Sequence, residues 1–207
     1  MAGKPPPARL LLVEGADEQH VVERLCERHQ YTPNFRICDK RGFPRLKPAI
    51  SPEAKTSGRI ALGILVDANG DPGGKWQAIA YQLRKAEIEA PASMGPAGTI
   101  IDGGDDKPRV GIWLMPDNGS KGQIEDFVRE LIPSCDPIWP LAEDYIEAIP
   151  EPDRKFKPQK GLRASIHAWL AVREEPRRMG LAITAGDLDA NAEPAERFMS
   201  WLRRLFG

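Results

Sequence analysis

A chain of 207 residues, 41% apolar and 29% charged, is long enough to bury a substantial core and too apolar to be disordered. Its net charge of −1 excludes the general basic field that would draw nucleic acid to the whole surface. The longest strongly apolar run, Ile60 to Val66, falls far short of the roughly 20 residues a membrane helix needs, so a chain without membrane spans is expected.

Behind a proline-rich N-terminus, Leu10 to Val13 reads as a first strand. It is too short for the core of a signal peptide, which predicts a cytoplasmic protein. A helix follows from about Asp17 to His29, with Val21, Val22 and Leu25 on its inner face. Phe35 to Cys38 is a short second strand. The stretch from Gly42 to Gly58 contains Pro44, Pro48 and Pro52, and is expected to hold at most a broken helix. Ile60 to Val66 has the uninterrupted apolar character of a central strand covered on both faces. The next helix is expected over about 74–89, then strands at Thr99 to Ile101 and Val110 to Met115 around the polar turn Asp102 to Lys107. This alternation predicts an α/β fold with a mostly parallel sheet flanked by helices.

From Gln123 onward only helical periodicity remains, at about 123–131, 137–149, 159–173 and 194–206. The linker Pro150 to Pro158 suggests an α/β domain over 1–150 and a helical C-terminal extension over 151–207. Charge reverses at the same place. Residues 121–153 carry nine acids against two bases, a net of −7, and residues 154–178 carry eight bases against two acids, a net of +6. Solvated faces that attract each other account for most of these charges. The last helix is amphipathic through Phe198, Trp201, Leu202, Leu205 and Phe206, and is expected to dock on the sheet or on a partner. Cys26, Cys38 and Cys135 lie far apart, without Cys-x-x-Cys or a histidine pair at ligand spacing, which argues against zinc.

Three apolar runs each lead to an acid: Glu14, Asp67 and Asp117. If the strands are parallel, these carboxylates emerge at the edge where open α/β sheets bind ligands. Hard oxygen donors suit Mg²⁺, which takes one or two carboxylates together with water and phosphate, so Glu14 and Asp67 would suffice. Asp71 has two readings, a further ligand or the N-cap of the helix that begins at Pro72. Asp117, in Asp117-Asn118-Gly119, is a ligand or a plain turn residue. Asp17 and Glu18 stabilise a helix dipole whatever else they do. Glu125 and Asp126 contribute to the metal site or simply open a helix. Lys75, Lys121 and Lys160 are the candidate cations for a phosphate, with Lys160 assigned beside Glu14 to catalysis.

The run Leu11-Leu12-Val13-Glu14-Gly15-Ala16-Asp17-Glu18 before a helix resembles the first Toprim motif, an apolar strand ending in Glu-Gly. Asp67-Ala68-Asn69-Gly70-Asp71 resembles the second, normally Asp-x-Asp. Through Gly111 to Asn118, Ile124 to Phe127 and Ile166 to Ala171 the chain is similar, over nearly its whole length, to a bacterial and archaeal Toprim-like family. This resemblance implies a Toprim-like (Rossmann-like) fold, with Glu14 as acid/base or metal ligand and the aspartates binding Mg²⁺ or Mn²⁺. It implies a nuclease or related phosphotransfer protein acting on nucleic acid. In the overcoming-lysogenisation-defect nucleases an acid at Glu18 assists a second metal. Those enzymes also carry an ATPase region, so by this analogy the chain is a subunit working with a separate ATPase. Asn69 departs from the pattern, since an amide offers a carbonyl oxygen without charge. The competing reading is a non-catalytic binding module for a nucleic acid end, a nucleotide or a protein.

Overall fold

Side chains along a strand point alternately to opposite faces, and the central strands here are apolar on both. In the computed structural model, which describes residues 5–104 and 106–207, β1 (Arg9–Val13), β2 (Arg36–Asp39), β3 (Ala61–Asp67), β4 (Thr99–Ile101) and β5 (Arg109–Met115) form one sheet of order β2-β1-β3-β5-β4. The first four residues of the proline-rich N-terminus and position 105 of the polar turn lie outside the described residues. Strands β2, β1, β3 and β5 run parallel, and only β4 pairs antiparallel, at the edge. The α/β class with a mostly parallel sheet is therefore as the alternation predicts, with eight α-helices among the described residues.

One face of the sheet, through Leu12, Leu62, Ile64, Ile112 and Leu114, packs on α2 (Phe43–Ala54) and α3 (Pro72–Arg84). The other, through Leu11, Val13, Leu65, Trp113 and Met115, packs on α1 (Ala16–Arg28), α4 (Ile124–Glu130), α6 (Gly161–Ala171), α7 (Met179–Ala185) and α8 (Glu193–Phe206). Gly63 and Gly111 are neighbours in the β3–β5 register. A Cβ on Gly111 would lie 2.5 Å from Leu205 Cδ2, so the paired glycines open the groove that seats α8 across the sheet. Trp113 meets Phe198 edge to face at 5.3 Å, and Phe35 stacks on Phe206 at 4.2 Å. The last helix thus spends its apolar face on the sheet, and no described helix is long and apolar enough to cross a membrane.

Three helices differ from the sequence expectation. Helix α2 runs unbroken for 12 residues through Pro48 and Pro52. Its prolines recur every fourth residue on the exposed face, where carbonyls left without an amide partner reach water, while Leu46, Ile50 and Ala54 bury the opposite face. Helix α7 falls where no helix is expected. Gly180 lets it lie close on α1, since a Cβ there would meet the His20 backbone at 2.9 Å. Helix α3 ends at Arg84, short of the expected 89.

Candidate functional site

The parallel strands β1 and β3 release their C-terminal ends side by side, and α1 starts directly beyond β1. Glu14, Glu18, Asp67 and Glu125 meet there in a cleft of about 200 Å³, also lined by Gln123, Lys160 and Arg163. Glu14 Oε2 accepts from the Asp67 backbone N–H at 3.0 Å and stands 3.6 Å from Lys75 Nζ. That ammonium lies 3.8 Å above the centre of the Phe43 ring, which together with Glu14 fixes it in place. The Gly42 amide donates to the Glu14 carbonyl at 2.6 Å and anchors the strand end.

Asp67 Oδ1 accepts from the Ile124 N–H at 2.9 Å, which ties the end of β3 to the start of α4. Burial pushes the Asp67 carboxyl up to about 8, with Glu18, Glu14 and Glu125 adding repulsion and the Ile124 N–H opposing. Glu18 lies in the first turn of α1, 5% exposed. Burial is again the largest cause of its rise to about 7; its own amide opposes, and Glu14, Asp17 and Glu125 add to it. A Cβ on Gly15 would sit 3.0 Å from Glu18 Oε2, so the glycine gives the carboxylate room to fold back over the helix start. Glu125 is 3% exposed and pairs with Arg163 Nη1 at 2.9 Å, while Arg163 Nη2 pairs with Asp17 at 2.9 Å. Lys160 Nζ donates to Gln123 Oε1 at 2.6 Å on the rim. Both bases belong to the C-terminal region, which folds back onto the sheet edge.

Of the residues expected at the site, Glu14, Glu18, Asp67 and Lys160 come together. Asp71 does not. It is exposed and caps α3, accepting from the Gly74 N–H at 2.8 Å. Asp117 does not line the cleft either. It accepts from Gly119 N at 2.9 Å, Ser120 N at 2.7 Å and Ser120 Oγ at 2.8 Å, and lines a separate cavity with Lys121, Asp126 and Arg197. Burial would raise its carboxyl, but these donors hold it below the usual range. Asp126 closes a capping box with Gln123 at the start of α4. Asn69 also lies outside the cleft. It adopts the left-handed conformation at φ 54°, exchanges backbone hydrogen bonds with Gly122, and directs Nδ2 toward the Asp67 carbonyl at 3.5 Å. Its part is to pin the β5–α4 loop beside β3. Arg163 is the charged cleft residue that the sequence did not single out; its place in a basic segment was its one mark.

Among the described residues no group of three or more His, Cys, Asp and Glu side chains is pre-arranged at metal-holding geometry. The cleft carboxylates have partners within the chain: Glu14 leans on Lys75 and the Asp67 amide, Asp67 on the Ile124 amide, and Glu125 on Arg163. Glu14 Oε1 and Asp67 Oδ2 make no hydrogen bond among the described residues.

The chain belongs to the family described as Protein of unknown function (DUF3226), whose profile matches residues 8–207. No curated protein and no solved structure matches it.

Proposed function

We propose that this DUF3226 chain is a divalent-metal-dependent nuclease or related phosphotransfer protein acting on nucleic acid, with the Glu14–Asp67 cleft as its active site. The observation that carries the reading is the convergence of Glu14, Glu18, Asp67 and Glu125 beside Lys160 and Arg163 at the C-terminal ends of two parallel strands. The donors fit Mg²⁺ or Mn²⁺: hard carboxylate oxygens, two of them uncommitted, in a buried cluster whose mutual repulsion a cation relieves. Glu14 and Asp67 would hold the ion, with Glu18 close by. A bound divalent cation supplies Lewis acidity toward a phosphoryl oxygen. The chain's own residues do the rest. The Asp67 amide and Lys75 orient Glu14, and Arg163 restrains Glu125 and Asp17. Lys160, exposed on the rim and hydrogen-bonded to Gln123, would turn toward a phosphate oxygen and offset charge developing there.

The test is incubation of the purified protein with single-stranded DNA, duplex DNA and RNA, each with Mg²⁺ or Mn²⁺. Metal-dependent cleavage is expected to be lost in Glu14→Ala, which removes one of the two carboxylates that would hold the ion. Cleavage that persists in that variant, or that never depends on metal, overturns the reading. The non-catalytic binding module draws on a different observation, that Glu14, Asp67 and Glu125 each already have a donor from the chain. Salt-sensitive binding of nucleic acid without cleavage, with or without a separate ATPase added, would decide for it.

A further inference from the structure

Helix α1 starts in the acidic cleft and carries a second set of polar groups away from it. Asp17, His20 and Arg24 are spaced three and four residues apart, so they share one face of the helix. Asp17 lines the cleft, whereas His20 and Arg24 line a separate cavity of about 200 Å³ together with Arg178 and Leu181. The crossing of α7 over α1 builds this cavity. Gly180 lets α7 lie against the His20 backbone, which sets Arg178, just ahead of that helix, and Leu181, within it, beside the same stretch of α1. Among the described residues no Asp or Glu lines the cavity. The acidic helix α5 (Ile138–Ala148) packs elsewhere, against α6.

The donors that face this cavity are largely uncommitted. Arg177, not Arg178, pairs with Asp187, and the side chains of His20 and Arg178 have no hydrogen-bond or ion-pair partner among the described residues. Arg24 donates from Nη1 to both oxygens of Glu27 at 2.7 Å, which leaves its Nε and Nη2 open, and Glu23 accepts from Gln19. A surface pair such as Arg24–Glu27 stabilises little, while a guanidinium fork grips a phosphate through two parallel hydrogen bonds. An imidazole offers at least one N–H in either protonation state. The cavity is smaller than the roughly 300–1,000 Å³ of small-molecule sites, so it suits a single phosphate group and not a whole nucleotide. We propose that the His20–Arg24–Arg178 cavity holds a backbone phosphate of a nucleic acid strand that also enters the Glu14 cleft. This rests on the nucleic-acid reading of the cleft and adds the path of the strand. At about 1.5 Å per residue, His20 and Arg24 stand about 5 and 10 Å beyond Asp17 along α1. With one phosphate per roughly 3.4 Å of a duplex strand, that is about one to three nucleotides from the cleft.

The test is binding of labelled single-stranded DNA, duplex DNA and RNA to the full chain, read by fluorescence anisotropy across a salt series with Ca²⁺ in place of Mg²⁺. Arg24→Gln/Arg178→Gln should weaken binding by roughly tenfold or more, the loss of charge-assisted hydrogen bonds. It should also flatten the salt dependence by about 0.9 in slope for duplex or about 0.7 for single strands, the release of one phosphate contact. Arg24→Lys/Arg178→Lys keeps the charge and should keep the slope. Arg36→Gln/Lys55→Gln removes equal charge at the opposite end of the sheet, where β2 begins and β3 is approached, and should leave the slope unchanged. An unchanged slope in the first pair, an equal change in the Arg36/Lys55 pair, or binding of neither DNA nor RNA by the wild type would overturn the proposal. Inorganic phosphate titrated alone separates the sources. Saturable amide shifts at His20, Arg24 and Leu181, with no effect of the Gln pair on the oligonucleotide slope, would make the cavity a site for a free anion and also overturn the strand path. The cleft reading fails separately, through cleavage that survives Glu14→Ala.

Discussion

Asp67 and Asp117 occupy comparable places, yet the protein treats them in opposite ways. Asp67 ends β3 and pairs in register with Met115 of the parallel neighbour β5, only two residues before Asp117. Asp117 is satisfied within its own turn by three donors from Gly119 and Ser120, and its carboxyl stays below the usual range. Asp67 receives a single amide hydrogen bond, and burial beside Glu18, Glu14 and Glu125 lifts its carboxyl to about 8. A carboxylate held by its own backbone serves the turn. One surrounded by like charge from β1, α1 and α4 weakens the fold, and such an arrangement persists where a ligand uses it.

The largest test of that contrast is the response to a divalent cation. A ligand bound only by the native state adds about 2.7 kcal/mol at a hundred times its dissociation constant. For a chain of this size that is a rise in Tm of roughly 5–10 °C. Mg²⁺ or Mn²⁺ should produce such a rise in differential scanning calorimetry, larger at pH 8 than at pH 6 because metal and proton compete for the same oxygens. The double substitution Glu14→Gln/Asp67→Asn should abolish it and Asp117→Asn should leave it intact. A shift that survives the double substitution, or that vanishes with Asp117→Asn, would exchange the roles of the two sites.

Without metal the two aspartates should move stability in opposite directions. Asp67→Asn keeps an oxygen for the Ile124 amide and removes charge from the cluster, so it should stabilise the protein at pH 8 by about 1–3 kcal/mol. Asp117→Ala strips three donors of their acceptor and should cost about 1 kcal/mol, the size of a lost cap. The pH dependence separates them further. The unfolded chain releases the Asp67 and Glu18 protons in the ordinary carboxylate range, near 4, whereas the folded chain keeps them to about 8 and about 7. Between those limits the unfolded state binds fewer protons, so stability falls as pH rises from about 4 to about 8. Asp117 has the opposite sign, its contribution being complete above the ordinary carboxylate range and lost as pH falls below it. Urea titrations from pH 4 to 9 should show the decline in the wild type and a flatter curve in Asp67→Asn; an unchanged decline would mean Asp67 is not its source.

How much of this the sequence discloses depends on the range of the interaction. The central strands are legible because Ile60 to Val66 and Val110 to Met115 are apolar without interruption, and parallel pairing then brings Glu14 and Asp67 to one edge. Helix α2 is not, because three prolines signal a break unless their common solvent face is known. Asp71 and Asp117 each admit two readings from the sequence, ligand or cap and turn residue, and the geometry of each turn decides for the second, since neighbouring backbone amides satisfy them. Arg163 carries no local signal beyond its place in a basic segment, since its partners Glu125 and Asp17 lie 38 and 146 residues away.

Asn69 offers the finest distinction and the smallest expected effect. Read from the motif, it is a missing aspartate whose restoration as Asn69→Asp should strengthen the field on a cation and tighten binding. The fold argues otherwise. Residue 69 is exposed, in the left-handed conformation that Asn and Asp both tolerate, and its backbone is bridged in both directions to Gly122. The side chain faces the carbonyl of its own strand, outside the residues that line the cleft. A carboxylate there gives up only the weak 3.5 Å contact from Nδ2, so Asn69→Asp should change stability by less than about 0.5 kcal/mol, as at an ordinary surface position. Its electrostatic reach to a cation in the cleft passes through solvent and is screened over about 8 Å at physiological salt. Calorimetric titration with Mn²⁺ should therefore find affinity within a factor of about three of the wild type, roughly 0.6 kcal/mol. A tenfold gain would instead require the Asn69–Gly122 bridge to open and turn residue 69 into the cleft. That would make the turn after β3, and not Asp67 alone, part of the metal-binding edge.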